Sequence, residues 1–311
     1  MEKTHILVTG GAGFIGSAMA ERLAEDPDAF VVVVDNLSTG SEEKLKQKEN
    51  LRLIVCDVNN YEEIRNVFYR YGFRYVFHYS AVVGVQRTLR NPVAVLRDIK
   101  GIENILDLAR TTGVQHVFYS SSSEVYGEPV EFPQNEETTP LNSRLPYAIV
   151  KNVGEAFLKS YYQEYGLPYT IFRFFNTYGP RQSRDFVISK FIAAALKNEP
   201  ITIYGDGSQS RTFCYIDDNV EACYTAFQKG LYKNDVVNIG NDVEYPILKV
   251  AELILRLTGS SSEIQFLPRL KEGDMTRRMP DISKMKKLLG RPLLDLESGI
   301  KKILEDTRFI L

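Results

Sequence analysis

The residues that could do chemistry stand out first in "PYAIVK", where Tyr147 and Lys151 are four positions apart. On a helix that spacing puts both side chains on one face, a turn apart. A free tyrosine has a pKa of about 10, too high for a base at neutral pH. An ammonium one turn away stabilises the phenolate and lowers that value, and a cationic ring nearby lowers it further. Such a phenol can take the proton of a hydroxyl whose carbon gives up a hydride. Tyrosine is abundant here, with 18 in the chain, so the spacing alone carries little weight. "HVFYSSSSEVYG" adds weight by placing four serines, Ser120 to Ser123, at the end of an apolar run. A serine hydroxyl there can bond the substrate oxygen and share its proton with Tyr147.

A hydride needs an acceptor, and "ILVTGGAGFIGSAMAERLAE", residues 6–25, provides a place for one. An apolar strand, a glycine turn and a helix start form the dinucleotide fingerprint. Gly10 permits the tight turn, Gly13 lets the pyrophosphate approach the backbone, and Gly16 lets the helix pack on the strand. The pyrophosphate then meets unpaired N–H groups at the positive end of the helix. "FVVVVDNLSTG" is a second strand ending in Asp35, about 20 residues after the glycines, as the motif expects. A carboxylate there accepts from the adenosine ribose hydroxyls and repels a 2′-phosphate, which favours NAD over NADP. The expected cofactor groove comprises Gly10, Gly13, Phe14, Ile15 and Gly16, then Asp35, Asn36, Ser38, Thr39 and Gly40, then Asp57 and Val58, and then Ser80 and Ala81. Tyr147 and Lys151 complete it. Asp57 is read either as a partner for the adenine amino group or as a cap for the next helix.

The elements that must position these groups alternate. Strands are expected at residues 6–8, 31–34, 52–55, 75–78, 116–120 and 170–174, with amphipathic segments such as 61–71 and 92–111 between them. This alternation predicts an α/β fold with a doubly wound parallel sheet of the Rossmann type, whose ligands bind beyond the C-terminal strand ends. The pattern changes after Asn176. Residues 1–176 are read as the NAD-binding domain and 177–311 as a smaller mixed α/β lobe, with the provision that a later strand returns to the main sheet.

A net charge of -2 over 311 residues leaves no electrostatic footprint for nucleic acid. No apolar run approaches membrane-spanning length. Cys56, Cys214 and Cys223 lack metal-ligand spacing and read as reduced thiols, so no metal site and a cytoplasmic location are expected. The first strand begins too early to leave room for a signal peptide. His5, His78 and His116 are read as packed side chains without a catalytic role.

Together, "GGAGFIGS", "DNLSTG", "SSSSEVYGEP", "PYAIVK", "FRFFNTYGPRQ", "YGDGSQSRTFCYIDD" and "RRMPDISK" resemble, in this order and over almost the whole chain, an extended short-chain dehydrogenase/reductase of the NAD-dependent epimerase/dehydratase family. The resemblance implies a nucleotide-diphosphate sugar in the smaller lobe, oxidised at C4 by a tightly held NAD that is reduced again within the cycle. It implies Tyr147 as base, Lys151 as its charge partner and Ser122 as the serine. Asn176 and Arg211 are implied partners of the diphosphate, and Arg278 is implied as a second substrate-binding arginine. Arg181, Tyr178, Gln182 and Phe186 are expected near the same pocket. It further implies a homodimer built from the 92–111 segment and the helix carrying Tyr147.

Three reactions share the 4-keto sugar. A 4,6-dehydratase needs an Asp–Glu pair before "VYG", and here the pair is Ser123–Glu124, which disfavours it. "SSEVYG" and "RRMPDISK" resemble UDP-glucuronate decarboxylases, in which a 4-keto uronic acid is a β-keto acid and loses carbon dioxide readily. "DNLSTG", "RLPYAIVK" and "NTYGPRQ" resemble UDP-glucose 4-epimerases. The balance favours the epimerase, with the decarboxylase as the alternative. Glu124 is a catalytic candidate, though the resemblance makes it awkward for a simple epimerase, since galactose epimerases often carry a neutral residue there. A non-catalytic NAD-binding protein would be expected to carry a broken Ser–Tyr–Lys set, and the set is intact here.

Overall fold

The computed structural model describes residues 3–268 and 277–306. The valine-rich runs form strands because both of their faces are covered. β1 (Thr4–Thr9) sends Ile6 and Val8 into one apolar core and Leu7 into another, and β2 (Ala29–Asp35) does the same with Val31 and Val33 against Val32 and Val34. Continuous apolar runs rather than alternation are what a parallel sheet buried on both sides requires.

Between these strands lies α1 (Phe14–Leu23). The first half continues with β3 (Leu51–Val55), α2 (Tyr61–Tyr71), β4 (Tyr75–His78), α3 (Val85–Arg90), α4 (Pro92–Leu96), α5 (Asp98–Thr112), β5 (His116–Ser122), α6 (Pro146–Tyr165) and β6 (Tyr169–Phe174). The six expected strands are all present, and the 92–111 segment is helical but divided at Arg97. The second half holds β7 (Thr177–Tyr178), α7 (Val187–Leu196), β8 (Ile201–Tyr204), β9 (Ser210–Thr212), β10 (Cys214–Tyr215), α8 (Ile216–Lys229), β11 (Asp235–Ile239), β12 (Glu244–Pro246), α9 (Ile247–Thr258), β13 (Ile264–Leu267), α10 (Ser283–Leu289) and α11 (Leu296–Glu305).

The main sheet has seven strands in the order β11-β6-β5-β4-β1-β2-β3, every neighbouring pair parallel. β11 comes from the second half of the chain and lies beside β6. The remaining strands of that half pair only in twos: β7 with β10, β9 with β12 and β8 with β13. Strand order reverses between β1 and β4, and a doubly wound sheet opens its ligand crevice at that point.

The helix that carries Tyr147 is delimited at both ends. Pro146 occupies its first turn, where the missing N–H costs nothing, and Gly166 ends it in a left-handed conformation at φ 70°. Among the described residues no helix is long and apolar enough to cross a membrane.

Candidate active site

The glycine turn is a packing necessity before it is a binding motif. Gly10 has φ +65°, and a Cβ there would sit 2.7 Å from the Ser80 backbone nitrogen. Gly16 has no room either, because a Cβ would run into the Gly10 carbonyl. The turn is therefore pressed between α1 and the loop after β4, with the N-terminus of α1 open beside it.

Asp35 fixes this turn from the next strand. Its Oδ2 accepts the Ala12 N–H at 3.0 Å and its Oδ1 accepts the Leu37 N–H at 2.8 Å. Each oxygen keeps lone-pair capacity for a ribose hydroxyl. Gly40 does not line the cavity. It packs beneath Asp35, where a Cβ would approach Oδ1 to 2.9 Å. Asp57 accepts from the Asn59 N–H at 2.9 Å, while the cap of α2 is Asn60, so the capping alternative for Asp57 falls away.

One cavity of about 320 Å³ joins these elements. It is lined by Gly10, Gly13, Phe14, Ile15, Gly16, Asp35, Asn36, Ser38, Thr39, Asp57, Val58, Ser80 and Ala81, and by Ser122, Glu124, Tyr147, Lys151, Asn176 and Arg278. Gln182 and Phe186 also line it, whereas Tyr178 is buried with its hydroxyl against Gly299.

Tyr147, half-buried, lines this cavity together with Ser122. Enclosure by protein is the dominant influence and pushes the phenol up; Ser122 and Arg278 pull it down, and Glu124 and Asp98 push it up. The expected lowering by Lys151 is therefore corrected. Its Nζ lies 5.9 Å from the Tyr147 ring centre and donates to the Ser120 carbonyl at 2.5 Å and the Ser120 hydroxyl at 3.3 Å. Burial leaves the phenol above its ordinary value rather than below it. Burial also brings Lys151 down to about 8, with Asp98 pulling it back up.

On the same cavity Arg278 Nη2 meets Glu124 Oε1 at 2.7 Å, and Arg278 Nη1 donates to the Ser123 hydroxyl at 3.4 Å. Glu124 Oε2 is buried and has no protein partner. Asn176 joins β6 to β7 with φ 26°, and its buried Nδ2 also lacks a protein partner. A strained amide donor and an open carboxylate oxygen on one cavity wall are polar capacity left for a ligand.

Two of the arginines expected here lie elsewhere. Arg181, at φ 68°, turns toward α1, where its Nη1 meets Glu21 Oε1 at 2.8 Å and the Lys44 carbonyl. Glu21 also takes the Lys46 N–H at 3.1 Å, so the arginine ties its loop to the segment after β2. The placement of Arg181 beside the substrate is corrected by this geometry. Arg211 lies on β9 opposite Tyr245 and does not line the cavity.

The histidines are packed. His78 bonds the Thr9 hydroxyl at 2.8 Å and burial lowers it to about 3; His116 bonds Thr170 at 2.9 Å and burial lowers it to about 4. Sequence reasoning missed Asp98, which lines the cavity while accepting the Val82 N–H at 2.7 Å. In the sequence it reads as an ordinary first-turn acid of a helix.

Known proteins resemble the chain over most of its length. The chain is 36% identical to UDP-glucuronic acid decarboxylase 1 of Danio rerio over 317 residues, covering 98% of this chain and 72% of that protein. It is 35% identical to a putative UDP-glucose 4-epimerase of Methanocaldococcus jannaschii, covering 96% of each. The solved UDP-glucose 4-epimerase of Thermotoga maritima, with UDP-glucose, superposes with a TM-score of 0.92 at 35% identity over 98% of this chain and 99% of that one. The model of the NAD dependent epimerase/dehydratase family matches residues 6–240. With the glycine turn, Asp35 and the Ser122–Tyr147–Lys151 set on one cavity, the chain belongs to the NAD-dependent epimerase/dehydratase family of enzymes.

Proposed function

We propose that the protein is a nucleotide-sugar 4-epimerase, of the type that acts on UDP-glucose and UDP-galactose or their N-acetylated forms, working through a transient 4-keto sugar. The observation that carries this reading is that Ser122, Tyr147 and Lys151 line the cavity that also holds the glycine turn and Asp35. Bound NAD supplies the hydride acceptor and a positive charge. Gly13 and the start of α1 take its pyrophosphate, Asp35 its ribose, and Lys151 the ribose nearer the reacting ring. Tyr147 removes the C4 hydroxyl proton and Ser122 holds the same oxygen. Asn176 and Arg278 bind the sugar nucleotide from the cavity wall. A diphosphate role for Arg211 rests on the family resemblance. The lobe after residue 176 is proposed as the sugar-nucleotide side of the molecule.

A second reading, UDP-glucuronate decarboxylase, is favoured by the Glu124–Arg278 pair. An arginine little exposed on the cavity wall is the group to bind a uronic acid carboxylate, since its fork bonds two oxygens at once. The curated decarboxylase at 36% identity supports it as well. Incubation with each UDP-hexose and with UDP-glucuronate, without added NAD, and analysis of products by mass spectrometry and NMR separates the two. Interconversion of hexoses supports the epimerase, carbon dioxide with a UDP-pentose supports the decarboxylase, and intact substrates throughout reject both.

We also propose a cytoplasmic homodimer. Val93 and Leu96 on α4 and Ile149 and Tyr162 on α6 are exposed apolar side chains on the segments expected to meet a second copy, and the three thiols are free and buried. Sedimentation at micromolar concentration distinguishes dimer from monomer.

A further inference from the structure

We propose that Arg181 is a positioning residue for the cofactor: by gripping Glu21 of α1 and the Lys44 carbonyl, it holds the 36–46 segment in place along the NAD-binding cavity and so slows the release of bound NAD. The proposal uses only the NAD-binding part of the site; neither the choice of sugar nor the reaction that follows oxidation enters it.

The 36–46 segment depends on tethers. Asn36, Ser38 and Thr39 line the same cavity as Asp35 and the glycine turn, yet the segment holds just one short 3₁₀ turn, Glu42–Lys44. Near its start the Leu37 N–H donates to Asp35 at 2.8 Å and the Ser41 N–H to the Ala12 carbonyl at 3.0 Å. Further along, Glu21 takes over. Its Oε1 accepts the Lys46 N–H at 3.1 Å, and its Oε2 lies 3.6 Å from Lys46 Nζ. Arg181 Nη1 donates to that same Glu21 Oε1 at 2.8 Å and to the Lys44 carbonyl. One guanidinium nitrogen thus joins α1, the 36–46 segment and the loop after β7.

Two features separate this grip from an ordinary surface ion pair. The Arg181 and Glu21 side chains are only 14% and 11% exposed, so water and salt screen them little. Arg181 also sits at φ 68°, a left-handed backbone conformation that a residue with a Cβ adopts at a cost. The strained position is held on both sides in the chain. The next residue, Gln182, lines the cavity, donates to the Thr177 carbonyl at 2.6 Å and accepts from the Ser189 hydroxyl at 3.0 Å. The same loop makes a second ion pair for comparison. Asp185 meets Arg87 at 3.0 Å, but with side chains 51% and 37% exposed it is the kind of pair that contributes little.

Holoenzyme loaded with NAD is mixed with an excess of isotope-labelled NAD, and the bound label is followed by mass spectrometry after rapid gel filtration, well below the melting temperature. Exchange should be about 3–30-fold faster in Arg181→Met, with a smaller acceleration in Glu21→Gln. The double variant should exchange no faster than Arg181→Met, because both changes remove one contact. Asp185→Asn should stay within about twofold of the wild type. Amide hydrogen exchange should rise over residues 36–46 in Arg181→Met and Glu21→Gln while β5 and β6 keep their protection, a pattern that a general loss of stability would not give. Glu21→Gln keeps the side-chain size and an acceptor for Lys46, so it reads the grip even where Arg181→Met does not fold. Wild-type exchange in either single variant, additive effects in the double variant, an equal acceleration in Asp185→Asn, or protection lost across β5 and β6 overturns the proposal. No sugar nucleotide is used, so failure of the epimerase reading would leave the result untouched.

Discussion

Arg173–Glu155 and Arg278–Glu124 both close at 2.7 Å, and there the likeness ends. Arg173 grips Glu155 with two nitrogens, at 2.9 and 2.7 Å, and Ser121 donates to the same carboxylate at 2.5 Å. The remaining arginine nitrogen donates to Tyr126, whose hydroxyl donates to Asn238 at 2.7 Å. That network ties β5, α6, β6 and β11 together. Its side chains are 2% and 1% exposed, and neither lines the cavity. Arg278 and Glu124 do line it, at 7% and 16% exposure, and Glu124 keeps one buried oxygen with no protein partner. A closed network specifies where strands and helix sit, while an incomplete one leaves capacity for a ligand. The first pair is accordingly read as the support of the helix that carries Tyr147, and the second as part of the site.

Four substitutions or titrations sharpen or break this division. The largest effect is expected on the functional side at Tyr147: Tyr147→Phe should lower turnover by about 10²–10⁴-fold while NAD stays bound. Its unfolding free energy should change by no more than about 1.5 kcal/mol, because only one hydroxyl facing a cavity is removed. Normal turnover in that variant removes Tyr147 as the base.

On the structural side, Glu155→Ala should cost about 3–5 kcal/mol of stability by stranding a buried guanidinium, measured by urea denaturation. A cost below about 1 kcal/mol would erase the contrast between the pairs.

Arg278→Met should reverse that profile. Stability should change by about 1–2 kcal/mol at most, because Glu124 lies on an open cavity, whereas kcat/KM should fall by about 10–100-fold. Equal stability losses in Arg278→Met and Glu155→Ala would show that the two pairs do the same work.

The fourth effect is distributed rather than local. His78 and His116 have folded-state pKa values lowered to about 3 and about 4, so between pH 6.5 and 4.5 the unfolded chain binds protons that the folded one does not. Stability is then fully present above 6.5 and declines as pH falls, by about 1.4 kcal/mol per pH unit for each histidine. His116→Gln should roughly halve the slope in this window, and an unchanged slope would contradict the buried, neutral reading.

How much could be read in advance depended on distance along the chain. The glycine turn, Asp35 and the Tyr147–Lys151 face are local patterns whose geometry follows from a single turn or helix, and they line one cavity. β11 pairs with β6 although more than 60 residues separate them, so its place in the sheet could be raised from sequence but not fixed. Arg181 carried a substrate role in the motif but reaches Glu21, 160 residues earlier, and nothing in local spacing encodes that ion pair. Glu124 and Arg278 were each visible as residues of interest, but their pairing across 154 positions was not. Asp98 went unnoticed because a first-turn acid looks the same whether it faces water or a cavity. The Lys151–Tyr147 spacing was legible, yet which influence dominates the phenol depends on burial, and burial is a property of the assembled fold.

The central claim is that oxidation and reduction at C4 happen within one cavity, with the hydride kept between the two steps. A substrate carrying deuterium at C4 of the sugar, converted without added NAD, tests it most directly. The account predicts that the product keeps the deuterium at C4, whether it is the epimeric hexose or the decarboxylated pentose. Deuterium lost to solvent, or found at another carbon, would contradict it.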